Sequence, residues 1–155
     1  MSIQSLPRLA CTGVVGLQEG EPVLLGSRCT QCGEVYFPAA AGCTCCSATS
    51  MEPYVLGRVG RLWSWTIQGF QPKAPYAGGE AAERFQPYGV GYVEMPCGVK
   101  VESRLTVADA DAIEIGMPMT LTLLPFRQLV GEEVVHTYAF APAVGVGTET
   151  VRGAV

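Results

Sequence analysis

The chain has 155 residues, a net charge of −4 and only two lysines, Lys73 and Lys100, which argues against a protein that grips a phosphate backbone with many cations. Hydrophobic residues make up 48% and charged residues 15%, enough for a packed core and a poor match to a disordered chain. The 19 glycines and 11 prolines favour a turn-rich β fold over a helical bundle, and no stretch reaches the roughly 20 apolar residues that a membrane span needs.

Residues 1–23 form an N-terminal segment with a short, broken apolar run, a poor signal peptide. Pro7, Gly13 and Gly16 weaken any helix there. A cytoplasmic chain is expected, where thiols stay reduced. The odd total of seven cysteines also fits a closed disulfide framework badly.

Five of those cysteines crowd into the 18 residues "CTQCGEVYFPAAAGCTCC", Cys29 to Cys46. Cys29 and Cys32 make one C-x2-C, Cys43 and Cys46 a second, with ten residues between the pairs. Each pair can curl into a knuckle that aims two thiolates at one point. Two facing knuckles give a sulfur tetrahedron suited to Zn(II). Gly33 supplies the backbone freedom wanted after the second cysteine. Between the pairs, "EVYFP" reads as a short strand ended by Pro38. Residues 24–52 are therefore expected to be a rubredoxin-like zinc ribbon with one zinc per chain. Four cysteines close the coordination shell, so the metal is structural and not catalytic. Cys45 is left as the spare, because pairing it with Cys43 leaves only one intervening residue. A thioredoxin-like redox role lacks the βαβ surroundings it needs.

Beyond Met51 the pattern turns to period two. "GRLWSWTIQGF" places Trp63, Trp65 and Ile67 on one side and Ser64, Thr66 and Gln68 on the other. "YGVGYVEM" is a second strand and "GVKVESRLTV" a third, with a tight turn at Pro96 to Gly98 between them. "ADADAIEIG" has room for one short helical turn. "IGMPMTLTLLPF" and "EEVVHTYAFAP" complete five strands. This spacing predicts a small closed barrel of the OB type over residues 53–142. Its long first connection, Gln71 to Gln86, is of a length that usually serves binding. Residues 143–155 have no period and read as a flexible tail or a partner-binding arm.

An OB barrel raises the alternative of single-stranded nucleic-acid binding. From Pro53 to Pro142, however, seven Lys and Arg face nine Asp and Glu, and stacking aromatics without a positive groove bind nucleic acid poorly. No nucleic-acid partner and no membrane are expected. His136, the only histidine, lies in a strand-like run, and Cys11 and Cys97 stand alone. None of the three has the neighbours of a catalytic group.

The parts in order, "RCTQCGEVYFPAAAGCTCC", "GRVGRLWSWTIQ", "YGVGYVEMPCGVKVESRL", "IEIGMPMTLTLLPF" and "TYAFAP", resemble an acyl-CoA-associated family with a rubredoxin-like zinc ribbon followed by an OB-fold. The resemblance spans about Leu24 to Pro142. It implies a structural zinc at Cys29, Cys32, Cys43 and Cys46. It also implies an accessory, non-catalytic subunit that pairs with a thiolase or thiolase-like aldolase, or alternatively with a hot-dog-fold acyl-CoA hydratase. The implied assembly is a hetero-oligomer acting on CoA esters, in which this chain stabilises the catalytic subunit and helps shape its acyl-CoA site. Under that resemblance Arg61, Lys73 and Arg84 are candidates to meet CoA phosphates, and Trp63, Trp65, Phe70 and Tyr76 to wall the acyl group. Each has a plainer reading as solvated charge or core.

Overall fold

The computed structural model describes residues 5–76, 78, 80–127 and 131–143; the tail expected at 143–155 lies, beyond its first residue, outside them. Among the described residues the regular structure is β, apart from 3-10 turns at Ala82–Arg84 and Ala110–Ala112. The N-terminal sheet holds β1 (Val15–Gln18), β2 (Glu21–Cys29), β3 (Val35–Tyr36) and β4 (Met51–Gly57). The barrel holds β5 (Val59–Gln68), β6 (Tyr88–Glu94), β7 (Lys100–Leu105), β8 (Pro118–Arg127) and β9 (Val135–Pro142).

The N-terminal sheet is organised around β2. Along one edge β2 pairs first with β1 and then with β3, and along the other it pairs with β4. The β1–β2 hairpin turns on Glu19 (φ 53°) and Gly20 (φ 77°). Two consecutive left-handed residues are the signature of the hairpin turn whose twist matches its strands. Strand pairing therefore begins at Val15, ahead of the expected ribbon, and continues past Glu52 to Gly57. Close approach is built in at Gly26, where a Cβ would strike the Tyr36 carbonyl oxygen and the Leu56 side chain.

The barrel closes in the order β5-β6-β7-β9-β8, with β8 returning to β5. All of its pairings are antiparallel except β7 with β9, where Arg104 faces Ala139 and Leu105 faces Phe140. This is the five-stranded OB barrel that the strand spacing predicts. Inside it Leu62, Val93, Met95, Val101, Met119, Leu121 and Phe140 are all at most 1% exposed. Each such side chain contributes about 1.5–3 kcal/mol of burial. Leu24, Leu56 and Val15 of the N-terminal sheet, with Val14 just before it, join the same apolar cluster. Phe37 also meets Tyr138 of β9 edge-on, with ring centroids 5.9 Å apart.

One strand reading is corrected. Trp63 of β5 does not share the face of Trp65 and Ile67. The register with β6 shifts between Leu62 and Ser64, so Trp63 is the extra residue of a β-bulge. Leu62 takes the inward place, at 1% exposed, and Trp63 stands outside at 52%. There it meets Tyr92 edge-on at 6.3 Å and lies 4.9 Å from the Lys100 ammonium. Trp65, beyond the bulge, packs against the core.

Candidate metal centre

Cys29 ends β2, where it pairs with Met51 of β4, so the first knuckle is fixed to the middle of the N-terminal sheet. The Cys29 amide donates to Glu34 O and the Gly33 amide to Cys29 O, each at 2.9 Å. That closure requires Gly33 to be left-handed, at φ 80°. The second knuckle repeats the device. Ser47 follows Cys46 at φ 62°, and the Cys43 amide donates to Ala48 O at 2.8 Å. Each C-x2-C is thus followed by a left-handed residue that turns the chain back over its sulfurs. The Thr30 amide and hydroxyl both donate to Ser50 O, at 3.0 and 3.1 Å, holding the two knuckles in register.

The sulfur atoms of Cys29, Cys32, Cys43 and Cys46 all lie within 4.8 Å of one another. Cys29 Sγ and Cys46 Sγ are 3.6 Å apart, and Cys32 Sγ and Cys43 Sγ 3.5 Å. A tetrahedral thiolate site with metal–sulfur bonds of about 2.3 Å has sulfur–sulfur edges of about 3.8 Å. The donor set therefore fits a four-coordinate metal. Cys29 and Cys43 are buried, and Cys32 and Cys46 exposed. Cys45 is exposed and lies outside the cluster.

Sequence reasoning missed Tyr36. Its hydroxyl accepts from the Thr44 amide at 3.0 Å and lies 3.2 Å from Cys43 Sγ. With that amide as its donor, the phenol proton is free to point at the sulfur. The hydroxyl lowers Cys43 to about 6 from the usual 9.0, against burial, and the Cys46 amide adds to the lowering. Cys29 is lowered too, chiefly by the Cys32 amide. Hydrogen bonds to the charged form favour the thiolate that binds metal. The only sequence signal for Tyr36 was its aromatic place between the cysteine pairs.

The seven candidate acyl-CoA contacts are spread over several places. Arg61 donates from Nη1 to Gly116 O at 3.0 Å and lines a cavity of ≈310 Å³ with Val59, Met95, Pro96 and Pro118. Trp63 is on the outer face and Trp65 against the core, as above. Phe70 is 72% exposed. Lys73 and Arg84 are exposed in the long connection. Tyr76 lines a different cavity, of ≈400 Å³. Cys97 packs against the core. Cys11 and His136 line one narrow crevice, and the buried His136 Nδ1 atom has no hydrogen-bond partner among the described residues.

Both halves of this architecture match known families. Residues 19–52 match the family described as ChsH2, rubredoxin-like zinc ribbon domain, and residues 52–124 the ChsH2, C-terminal OB-fold domain. A DUF35 domain-containing scaffold protein of Methanothermobacter thermautotrophicus is 30% identical over 118 residues, 76% of this chain and 83% of its own. The chain belongs to the ChsH2/DUF35 family. Other family-like proteins are named for enzymes. The benzoylsuccinyl-CoA thiolase subunit BbsA of Thauera aromatica is 30% identical over 84 residues, 54% of this chain and 52% of its own. A chain of the solved Ltp2-ChsH2(DUF35) aldolase superposes with a TM-score of 0.58 and 26% identity, covering 79% of this chain and 86% of that one. The ChsH2/DUF35 ribbon is thus present here with its four cysteines gathered.

Proposed function

We propose that this chain is a non-catalytic, zinc-carrying accessory subunit of a thiolase or thiolase-like aldolase that acts on acyl-CoA thioesters. The observation that carries the reading is the likeness across both ribbon and barrel to a chain of the Ltp2-ChsH2(DUF35) aldolase. The thiolase subunit BbsA adds to it. In this reading Cys29, Cys32, Cys43 and Cys46 hold one Zn(II), with four thiolates leaving no position for water. The ion would fasten the knuckles together and supply no chemistry. Carbon–carbon bond cleavage of a 3-oxoacyl thioester needs a nucleophilic cysteine, an acid/base cysteine and donors that polarise the thioester carbonyl. The reading assigns these to the partner: four cysteines gather in the metal cluster and Cys97 packs on the core, Cys45 is exposed on the ribbon, and Cys11, though it shares a narrow crevice with His136, makes no hydrogen bond to it among the described residues.

The test is co-expression with the thiolase-like subunit found by pull-down. The expected result is a hetero-oligomer by size-exclusion mass, with CoA-dependent cleavage in the complex and none from this chain alone. Cleavage by the isolated chain overturns the reading, as does a monomer that ignores every thiolase-like protein of the same cell.

The metal assignment makes a separate prediction at Tyr36. Tyr36→Phe removes the hydroxyl beside Cys43 and leaves the ring. The Cys43 thiol then rises from about 6, and metal must compete with a more tightly held proton. Zinc affinity is expected to fall about tenfold, with release on acidification beginning at a higher pH than in the parent chain. Chelator competition across a pH series measures both. An unchanged release curve removes Tyr36 from the site.

A further inference from the structure

We propose that the cleft over the outer face of β6 and β7 binds a small organic monocarboxylate with a planar apolar body, its carboxylate paired with Arg104. This concerns a ligand of the chain itself and stands apart from the accessory reading.

The cleft has a volume of ≈400 Å³ and lies between Tyr76, Tyr88, Glu102, Arg104, Phe126 and Tyr138. That is toward the small end of ligand pockets. Strands β6 and β7 are the second and third strands of the barrel, and the face they share is the one OB-folds commonly use for ligands. Arg104 points outward because Val101, Ser103 and Leu105 alternate into the buried side of β7. Its guanidinium carbon lies 3.9 Å from the centroid of the Tyr88 ring. Its Nε is buried and, among the described residues, has no hydrogen-bond partner. Among the described residues it takes part in none of the ion pairs. A buried guanidinium N–H without an acceptor is costly, and a ligand that brings the acceptor removes the cost.

The chemistry of the walls narrows the ligand. Stacking on Tyr88 covers one face of the guanidinium and leaves its edge N–H groups free, the arrangement that meets a carboxylate with two parallel bonds. Two neighbouring hydroxyls are committed elsewhere: Tyr76 donates to Glu80 Oε1 at 2.9 Å, and Tyr138 to Glu102 O at 3.2 Å. Arg104 is the cation that lines the cleft and so the charged donor for an anion. Glu102 also lines the cleft, its Oε2 accepting from Tyr92 at 3.3 Å. A singly charged ligand meets less repulsion from Glu102 than a phosphate dianion would, with Arg104 offering the same attraction site to each. Three further rings line the cleft beside Val90 and the smaller polar side chains: Tyr76 and Phe126, which meet edge-on at 6.2 Å, and Tyr138. A flat apolar body fits such walls.

The probe is 3-phenylpropionate, titrated calorimetrically into the full-length chain beside its neutral amide and phenyl phosphate. The acid is expected to bind, and the amide about tenfold or more weaker, the loss of a charge-assisted pair. Arg104→Met keeps the apolar stem over Tyr88 and is expected to weaken the acid by the same factor and leave the amide unchanged. Should that variant fail to fold by circular dichroism, the acid–amide comparison on the parent chain decides alone. No binding of the acid, equal binding of acid and amide, or full acid affinity in Arg104→Met overturns the proposal and leaves the arginine a stacking residue. Tighter binding of phenyl phosphate, or of a single-stranded oligonucleotide, overturns the carboxylate assignment.

Discussion

Cys46→Ser is expected to release the metal and unfold the N-terminal ribbon, and Cys45→Ser to do neither. The two thiols are adjacent in sequence and differ in one respect: Cys46 Sγ stands 3.6 Å from Cys29 Sγ within the four-sulfur cluster, and Cys45 stands outside it in solvent. Structural zinc in finger-like peptides binds with an apparent 10–16 kcal/mol, and that free energy is also folding free energy. Losing one thiolate of four is expected to remove several kcal/mol of it, more than a short, turn-rich segment can replace from its own core. Metal per chain by mass spectrometry, with circular dichroism, reads both effects. Full metal in the Cys46 variant with loss in the Cys45 variant would transfer the ligand role to Cys45.

Phe140→Ala carries the largest expected effect in the barrel. The ring is 0% exposed. Phe140 faces Leu121 across one ladder and Leu105 across the other, and its carbonyl accepts from the Thr106 amide at 3.0 Å. It therefore sits where β7, β8 and β9 meet. Removing a fully buried phenyl costs about 3–5 kcal/mol, part transfer and part unfilled cavity. The urea midpoint is expected to drop accordingly with little change of slope, and metal content should hold, since Phe140 lies outside the knuckles. A loss below about 1 kcal/mol would show that the barrel does not close on this ring.

The knuckles and the barrel were legible for different reasons. A C-x2-C is a local device, so Cys29, Cys32, Cys43 and Cys46 could be grouped by counting, and Gly33 by its missing side chain. The barrel strands showed as alternation because half-buried strands must alternate, and Met119, Leu121, Val101 and Leu105 behave accordingly. Alternation fails where a residue is inserted. "LWSW" reads as two inward tryptophans only if no bulge intervenes, and the bulge at Trp63 is set by pairing with β6, which one strand cannot reveal. The β1–β2 hairpin was signalled only by "EG", a weak cue because Glu19 must itself adopt a left-handed backbone. Tyr36 and Arg104 were out of reach for a third reason. Their significance lies in what faces them across space, Cys43 in one case and an empty acceptor position in the other. Likewise the aromatic and basic residues expected to gather around CoA were chosen by type, and Arg61 and Tyr76 line separate cavities.

Closing β8 back onto β5 gives every barrel strand a partner on each side, though the ladders between β5 and β8 and between β7 and β9 are short, three and two residue pairs. The described strands with one side wholly unpaired therefore belong to the N-terminal sheet, where β4 pairs with β2 alone. An unpaired edge is a template for stacking onto another chain, and proteins blunt it with short strands and proline. Here β1 has four residues and β3 two, and β4, the seven-residue edge, carries Pro53 opposite Ser27. Pro53 has no amide proton to offer, so a strand laid along β4 meets a break in the ladder near its middle. Protection against runaway self-association thus comes in the barrel from closure, and in the ribbon from brevity and a single imino acid.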